Sequence, residues 1–263
     1  MSPVYLLSGA GMILVGWGAV VLWKRHYQVP FAFFAWGTAA WTIAVSLKYA
    51  VAILMKTPVE TYVRGSFPPP IAAPVLWVYI GLLTGIFECG VVLLIVRWVS
   101  RIRQARWEEA VAFGMGFGAI EAILVGLGYS GFILLVLFMP ERLPAGVIKM
   151  VGEIPDSPWP FILPPVVERI SALLIHAFTS LLIIYSVIVT RWRWFWFAFL
   201  CKTAVDAFAA FLHISYGIEN LTLQAYWLVE FVLFVFGCIG AWITWTFRLQ
   251  WNMVQLNENT GIC

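Results

Sequence analysis

Residues Phe161–Val189 read FILPPVVERISALLIHAFTSLLIIYSVIV, an apolar run of bilayer length that nevertheless carries Glu168, Arg169 and His176. A bilayer core supplies no water, and a charged side chain at the centre of a transmembrane helix costs about 2.5–3.5 kcal/mol on insertion scales. Arg169 and His176 are two helical turns apart and so share one face, with Glu168 beside them. The stretch therefore reads as the wall of a polar cage inside a membrane helix bundle.

The rest of the chain supplies that bundle. Of 263 residues, 62% are hydrophobic and only 11% charged, and the mean hydropathy is +0.92. Soluble domains carry about 25% charged residues, so the composition is that of an integral membrane protein. A net charge of +3 is too small to argue for a nucleic-acid partner. The bilayer itself is the expected partner. Cys89, Cys201, Cys238 and Cys263 form no CxxC and no regular spacing, which argues against a disulfide scaffold or a zinc finger.

Seven segments, at about 4–23, 31–55, 71–97, 108–138, 161–189, 194–215 and 221–247, are long enough to cross the hydrocarbon. Near-continuous apolarity without period-2 alternation favours helices over a β-barrel. The expected fold is all-α and polytopic, a single transmembrane domain over residues 1–263. The first segment lacks a basic n-region and is followed by Lys24 and Arg25, the reverse of a signal peptide, so it reads as a retained span. Lys24, Arg25, Arg97, Arg101, Arg103, Arg106, Arg191, Arg193 and Arg248 fall on one side. The opposite loops hold Lys56, Arg64, Arg142 and Lys149, offset by acids. The positive-inside rule then puts the N-terminus out and the C-terminus in, in a multi-pass cell-membrane protein. Tryptophans and tyrosines near segment ends read as an interfacial belt.

Two outer loops are expected. Residues 56–70 end in Phe67-Pro68-Pro69-Pro70, an extended approach to the third span. Residues 139–160 hold Glu153 and Asp156 among prolines and glycines, and read as a solvated connector or a lid. The one glycosylation sequon, at Asn220, lies close to the membrane and reads as coincidental.

Ionisable residues recur at membrane depth: Lys48, Glu88, Glu121, Glu168, Arg169, His176, Lys202, Asp206, His213 and Glu230. Glu88 lies about 13 Å from the boundary arginine Arg97 by helical rise. Gly114 and Gly118 form a small-xxx-small pair that admits a close neighbour, and Glu121 continues their face. Lys202 and Asp206, four residues apart, could be an intrahelical ion pair, and Glu168 could exist to neutralise Arg169. Glu88, Glu121 and His176 have no local partner, and Lys48 and Glu230 are likewise unpaired in sequence. So large a set spread over several helices points to a polar cavity.

Hydrolysis inside a membrane needs an activated water, a polarised carbonyl and a general acid. Carboxylates and histidine are the residue types for those tasks. No HExxH, GxSxG or P-loop occurs. With only His176 and His213 in the spans, a three-histidine metal site is excluded and a His/Glu site stays open. A divalent metal such as zinc is the cofactor it would take, with His176 and Glu121 as candidate ligands.

The ordered set resembles the YhfC family of intramembrane peptidases, relatives of the CAAX prenyl-protease and bacteriocin-processing superfamily. It comprises Phe87-Glu88 in the third span, GFGAIEAI over Gly116–Ile123, ERISALLIH over Glu168–His176, and a polar pair spaced by four at Lys202 and Asp206. The resemblance covers about residues 20–247. It implies a catalytic set of Glu88, Glu121, Glu168, Arg169, His176 and Asp206, acting on a membrane peptide or protein. The chain also departs from the pattern. Cys89 stands where the resemblance implies a second glutamate, Phe117 where it implies a histidine, and Lys202 where it implies another. A lysine there opposes metal binding electrostatically.

Three readings follow. An active peptidase would use Glu121 or Glu168 to activate water, His176 to polarise the carbonyl or hold a metal, and Arg169 to orient a carboxylate. A non-catalytic relative, a scaffold or assembly subunit, would keep the charges as struts. A proton-coupled transporter would use them as a relay, but no inverted repeat supports it.

Overall fold

The computed structural model describes residues 2–144, 159–217 and 222–260. Among them, seven helices are long and apolar enough to cross a membrane: Pro3–Tyr27, Phe31–Ser66, Pro69–Trp98, Trp107–Phe138, Pro160–Ile188, Arg193–Ser215 and Leu223–Gln255. These match the seven segments expected from hydropathy. The protein is an all-α, multi-pass membrane protein.

Two ends differ from expectation. The second helix continues past the apolar run to Ser66, through Pro58, and the seventh continues to Thr260. Hydropathy stops where lipid stops, whereas helical hydrogen bonding does not. The added turns of the second span carry Glu60 and Arg64 at i,i+4 spacing, paired at 2.9 Å. Residues 56–66 are thus helix rather than loop, and only Phe67 and Pro68 separate the second and third spans. Both are extended, while Pro69 and Pro70 begin the next helix, where a missing N–H costs nothing. Glu153, Asp156 and Asn220, named for a lid or connector and a sequon, lie outside the described residues.

The fifth span is the axis of the bundle. In its most apolar stretch 78% of residues are buried, against 50% in the third span and less elsewhere. The first and second spans pack along the fourth, the fourth and seventh along the fifth, and the third along the sixth. Glycines permit the closest of these contacts. A Cβ at Gly114 would lie 2.6 Å from Ala177 Cα, and one at Gly118 would lie 2.9 Å from Leu173 Cα. The expected small-residue face is therefore the seat of the fifth span, and it draws His176 against the fourth.

The third span has a five-residue π turn, Gly85–Cys89, between α-helical halves. A Cβ at Gly81 would meet Thr203 O at 2.3 Å, and one at Gly85 would meet Thr203 Oγ1 at 2.4 Å. This backbone-level contact with the sixth span sets Glu88, inside the π turn, against Lys202. π turns often occur at functional positions.

The tryptophans differ in environment. Trp17, Trp98 and Trp242 are exposed, as a lipid-facing belt requires, but Trp107 and Trp251 are fully buried. Trp107 Nε1 donates to Thr244 O at 2.9 Å, and Trp251 Nε1 to Ala105 O at 3.1 Å. These two fasten the seventh span to the start of the fourth.

Candidate functional site

Five spans send charged or polar side chains into one connected network. Glu121, on the fourth span, is a hub. Its Oε1 accepts from Arg169 Nη1 at 2.6 Å, and its Oε2 accepts from Trp41 Nε1 at 2.9 Å. The same Oε2 lies 2.9 Å from His176 Nε2. Arg169 donates its other terminal nitrogen to Glu168, as the adjacency of the two in sequence suggested.

Lys202 Nζ lies 3.1 Å from His176 Nδ1 and 3.5 Å from its Nε2. The same ammonium is 2.6 Å from Glu88 Oε2. Glu88 Oε1 accepts from Lys48 Nζ at 2.7 Å, and Lys48 Nζ is 3.7 Å from Asp206 Oδ2. Thr84 donates its hydroxyl to that same carboxylate oxygen. The sequence Glu168–Arg169–Glu121–His176–Lys202–Glu88–Lys48–Asp206 therefore alternates sign across the bundle, broken only by the imidazole. Opposite charges at hydrogen-bond range are what make so many buried ions tolerable.

The expected intrahelical pair is replaced by interhelical ones. Lys202 forms an ion pair with Glu88 of the third span, and Asp206 one with Lys48 of the second. Lys202, Glu88 and His176 are buried, whereas Glu121 and Lys48 stay about one-fifth exposed, at 20% and 19%. That exposure faces a cavity of about 470 Å³, lined by the network together with Trp41, Ser171, Tyr226 and Glu230. Glu230 is buried, and its Oε2 has no hydrogen-bond partner among the described residues. A second cavity of about 500 Å³ shares Lys48, Tyr49 and Asp206 with the first, and includes His213. His213 thus stands apart from the other groups.

The six residues named from sequence, Glu88, Glu121, Glu168, Arg169, His176 and Asp206, all line the first cavity or bond one that does. Trp41 and Thr84 were missed. A tryptophan or threonine in an apolar span carries no sequence signal of its own, and only the Glu121 and Asp206 contacts reveal them.

The donor set does not fit a metal. Both His176 nitrogens, both Glu121 oxygens and both Glu88 oxygens already engage cations or N–H groups of this chain. Among the described residues no three of His, Cys, Asp or Glu are placed to share an ion. The ammonium of Lys202 lies between the two nearest potential ligands, His176 and Glu88, and would repel a divalent cation.

Comparison with known proteins agrees with the resemblance read from the sequence. Residues 11–233 match the family described as YhfC intramembrane metalloprotease. The chain is 27% identical over 196 residues to the uncharacterized membrane protein YhfC of Bacillus subtilis (strain 168), covering 69% of this chain and 73% of that protein. No solved structure matches it. On its spans, its ordered motifs and this match, the chain belongs to the YhfC intramembrane metalloprotease family.

Proposed function

We propose that the chain admits a segment of a membrane-associated peptide or protein into the cavity lined by this network and hydrolyses it with water activated at Glu121, without a metal. One observation carries this reading: Glu121 is fixed by three side chains from two other spans yet still faces the cavity. Its Oε1 accepts a single bond, from Arg169, so a lone pair remains for a water molecule. Burial of the surrounding groups excludes competing solvent and strengthens each interaction with the reacting carbonyl. Arg169 and His176 hold the carboxylate in place. Glu230, with its free buried oxygen, is an acceptor for a backbone N–H or a cationic side chain of the incoming segment.

A second reading, binding without hydrolysis, is favoured by the ion pairs that engage both Glu88 oxygens and by the contacts on both His176 nitrogens. One experiment separates the two. New peptide termini are mapped by mass spectrometry in membranes from cells expressing the wild type or Glu121→Gln at equal level. Termini present with the wild type and absent with Glu121→Gln support hydrolysis, and Glu230→Gln should then alter which sites are cut. Identical termini leave binding as the function. A photo-crosslinking residue at Val229, in the cavity wall, would then trap the bound segment.

A further inference from the structure

The two ends of the cavity differ in charge. Around Glu88 the signs balance: Lys48 and Lys202 both pair with Glu88, and Lys48 also reaches Asp206. At the other end Arg169 alone is shared between Glu121 and Glu168. Glu230 adds a third carboxylate to that wall. It is only 3% exposed, and its Oε2 has no hydrogen-bond partner among the described residues. We infer that Glu230 selects a lysine or arginine in the bound segment and takes its ammonium or guanidinium, an inference that rests on the reading of this cavity as a peptide site.

Helix packing places the group. Gly237 seats the seventh span on the fifth, where a Cβ would lie 3.3 Å from Ser171 Cα. Glu230 comes two turns before Gly237 and so occupies the same face, while Glu168 is one turn before Ser171. A buried carboxylate oxygen without a partner is costly until a donor reaches it. Two features make a cationic side chain the fitting donor. The excess of acid at this end is relieved by a cation, left unchanged by a neutral residue and worsened by an acidic one. Leu124, Val125 and Leu233 line the cavity as well, and suit the methylene stem behind the charged head. Tyr226, one turn before Glu230, brings an aromatic ring to the same wall. Arg169 Nε is also buried without a partner, a donor for a backbone carbonyl of the same segment.

The test uses the full-length protein in detergent and bilayer-length leucine–alanine peptides with blocked termini. One lysine, or its uncharged counterpart norleucine, is moved along the peptide. Fluorescence anisotropy of labelled peptides reads affinity, and mass spectrometry of the same mixtures reads cleavage. Lysine at one position, or at a few neighbouring ones, should bind at least about tenfold more tightly than norleucine. Glu230→Gln should abolish that preference and leave the norleucine peptides unaffected. Because Glu230 has no partner to lose, the variant should unfold without peptide at the same temperature as the wild type or higher. A lower midpoint would mark Glu230 as a structural group and overturn the inference. So would a lysine preference that survives in Glu230→Gln, no preference at any position, or no binding at all. Hydrolysis is judged separately. Lysine peptides bound through Glu230 yet left uncut would end the catalytic reading and leave this inference standing, whereas cleavage indifferent to lysine and to Glu230 would do the reverse.

Discussion

Glu88 is bonded on one oxygen by Lys48 and approached on the other by Lys202, so a single carboxylate neutralises cations from two other spans. Removing it strands Lys202 and leaves Lys48 only its longer pair with Asp206. Glu88→Gln should lower stability by about 3–5 kcal/mol, the usual cost of breaking a buried pair. Adding Lys202→Met should recover part of that loss, with a coupling of at least about 1 kcal/mol in a double-mutant cycle. Thermal unfolding in detergent measures it, and simple additivity would show that the two groups are not energetically linked. Most of these charges were conspicuous in sequence, because Lys48, Glu88, Glu121 and Lys202 interrupt apolar runs. Their pairing was not. The bonded partners lie 26 residues apart for His176 and Lys202, 40 for Lys48 and Glu88, and 122 for Thr84 and Asp206. Local spacing suggests only intrahelical pairs, such as Lys202 with Asp206, and the bundle chose otherwise.

At the level of the helix, the contact between the fourth and fifth spans depends on absent side chains. Gly114→Val should force the fifth span outward from the 2.6 Å approach to Ala177, at about 1–3 kcal/mol of stability. It should also loosen the hold of His176 and Arg169 on Glu121. Gly128, on the same helix, has no atom within 4 Å of a would-be Cβ, so Gly128→Ala should change stability by less than about 0.5 kcal/mol. Unfolding midpoints of the two variants, measured side by side, check both statements; equal effects would remove the packing explanation. This small-residue face was readable from the sequence because Gly114, Gly118 and Glu121 fall on one stripe. The π turn around Glu88 was not, since a π turn differs from an α turn in hydrogen-bond register rather than in composition. The buried Trp107 and Trp251 were also misread, because tryptophan serves membrane interfaces and cores equally well and only its N–H partner tells them apart.

For the molecule as a whole, the seven spans followed from length and apolarity. The overshooting second and seventh helices did not, because polar turns beyond the lipid are invisible to hydropathy. The excess of arginine and lysine on one set of loops argues for an outside N-terminus and an inside C-terminus. A green fluorescent protein fused after Gln255 should therefore fluoresce, and alkaline phosphatase at the same point should be inactive. The reverse pattern would invert the orientation. The alternating network also has a consequence for how the chain is made. Lys48 and Glu88 belong to consecutive spans, as do Glu121 and Arg169, so each pair can leave the translocon as a hairpin already neutralised. Lys202 and Asp206 arrive only with the sixth span. Until that helix is synthesised, the nascent bundle keeps one face of Glu88 and one side of His176 waiting, and the charge network closes as a ribosome-timed act before the seventh span is made.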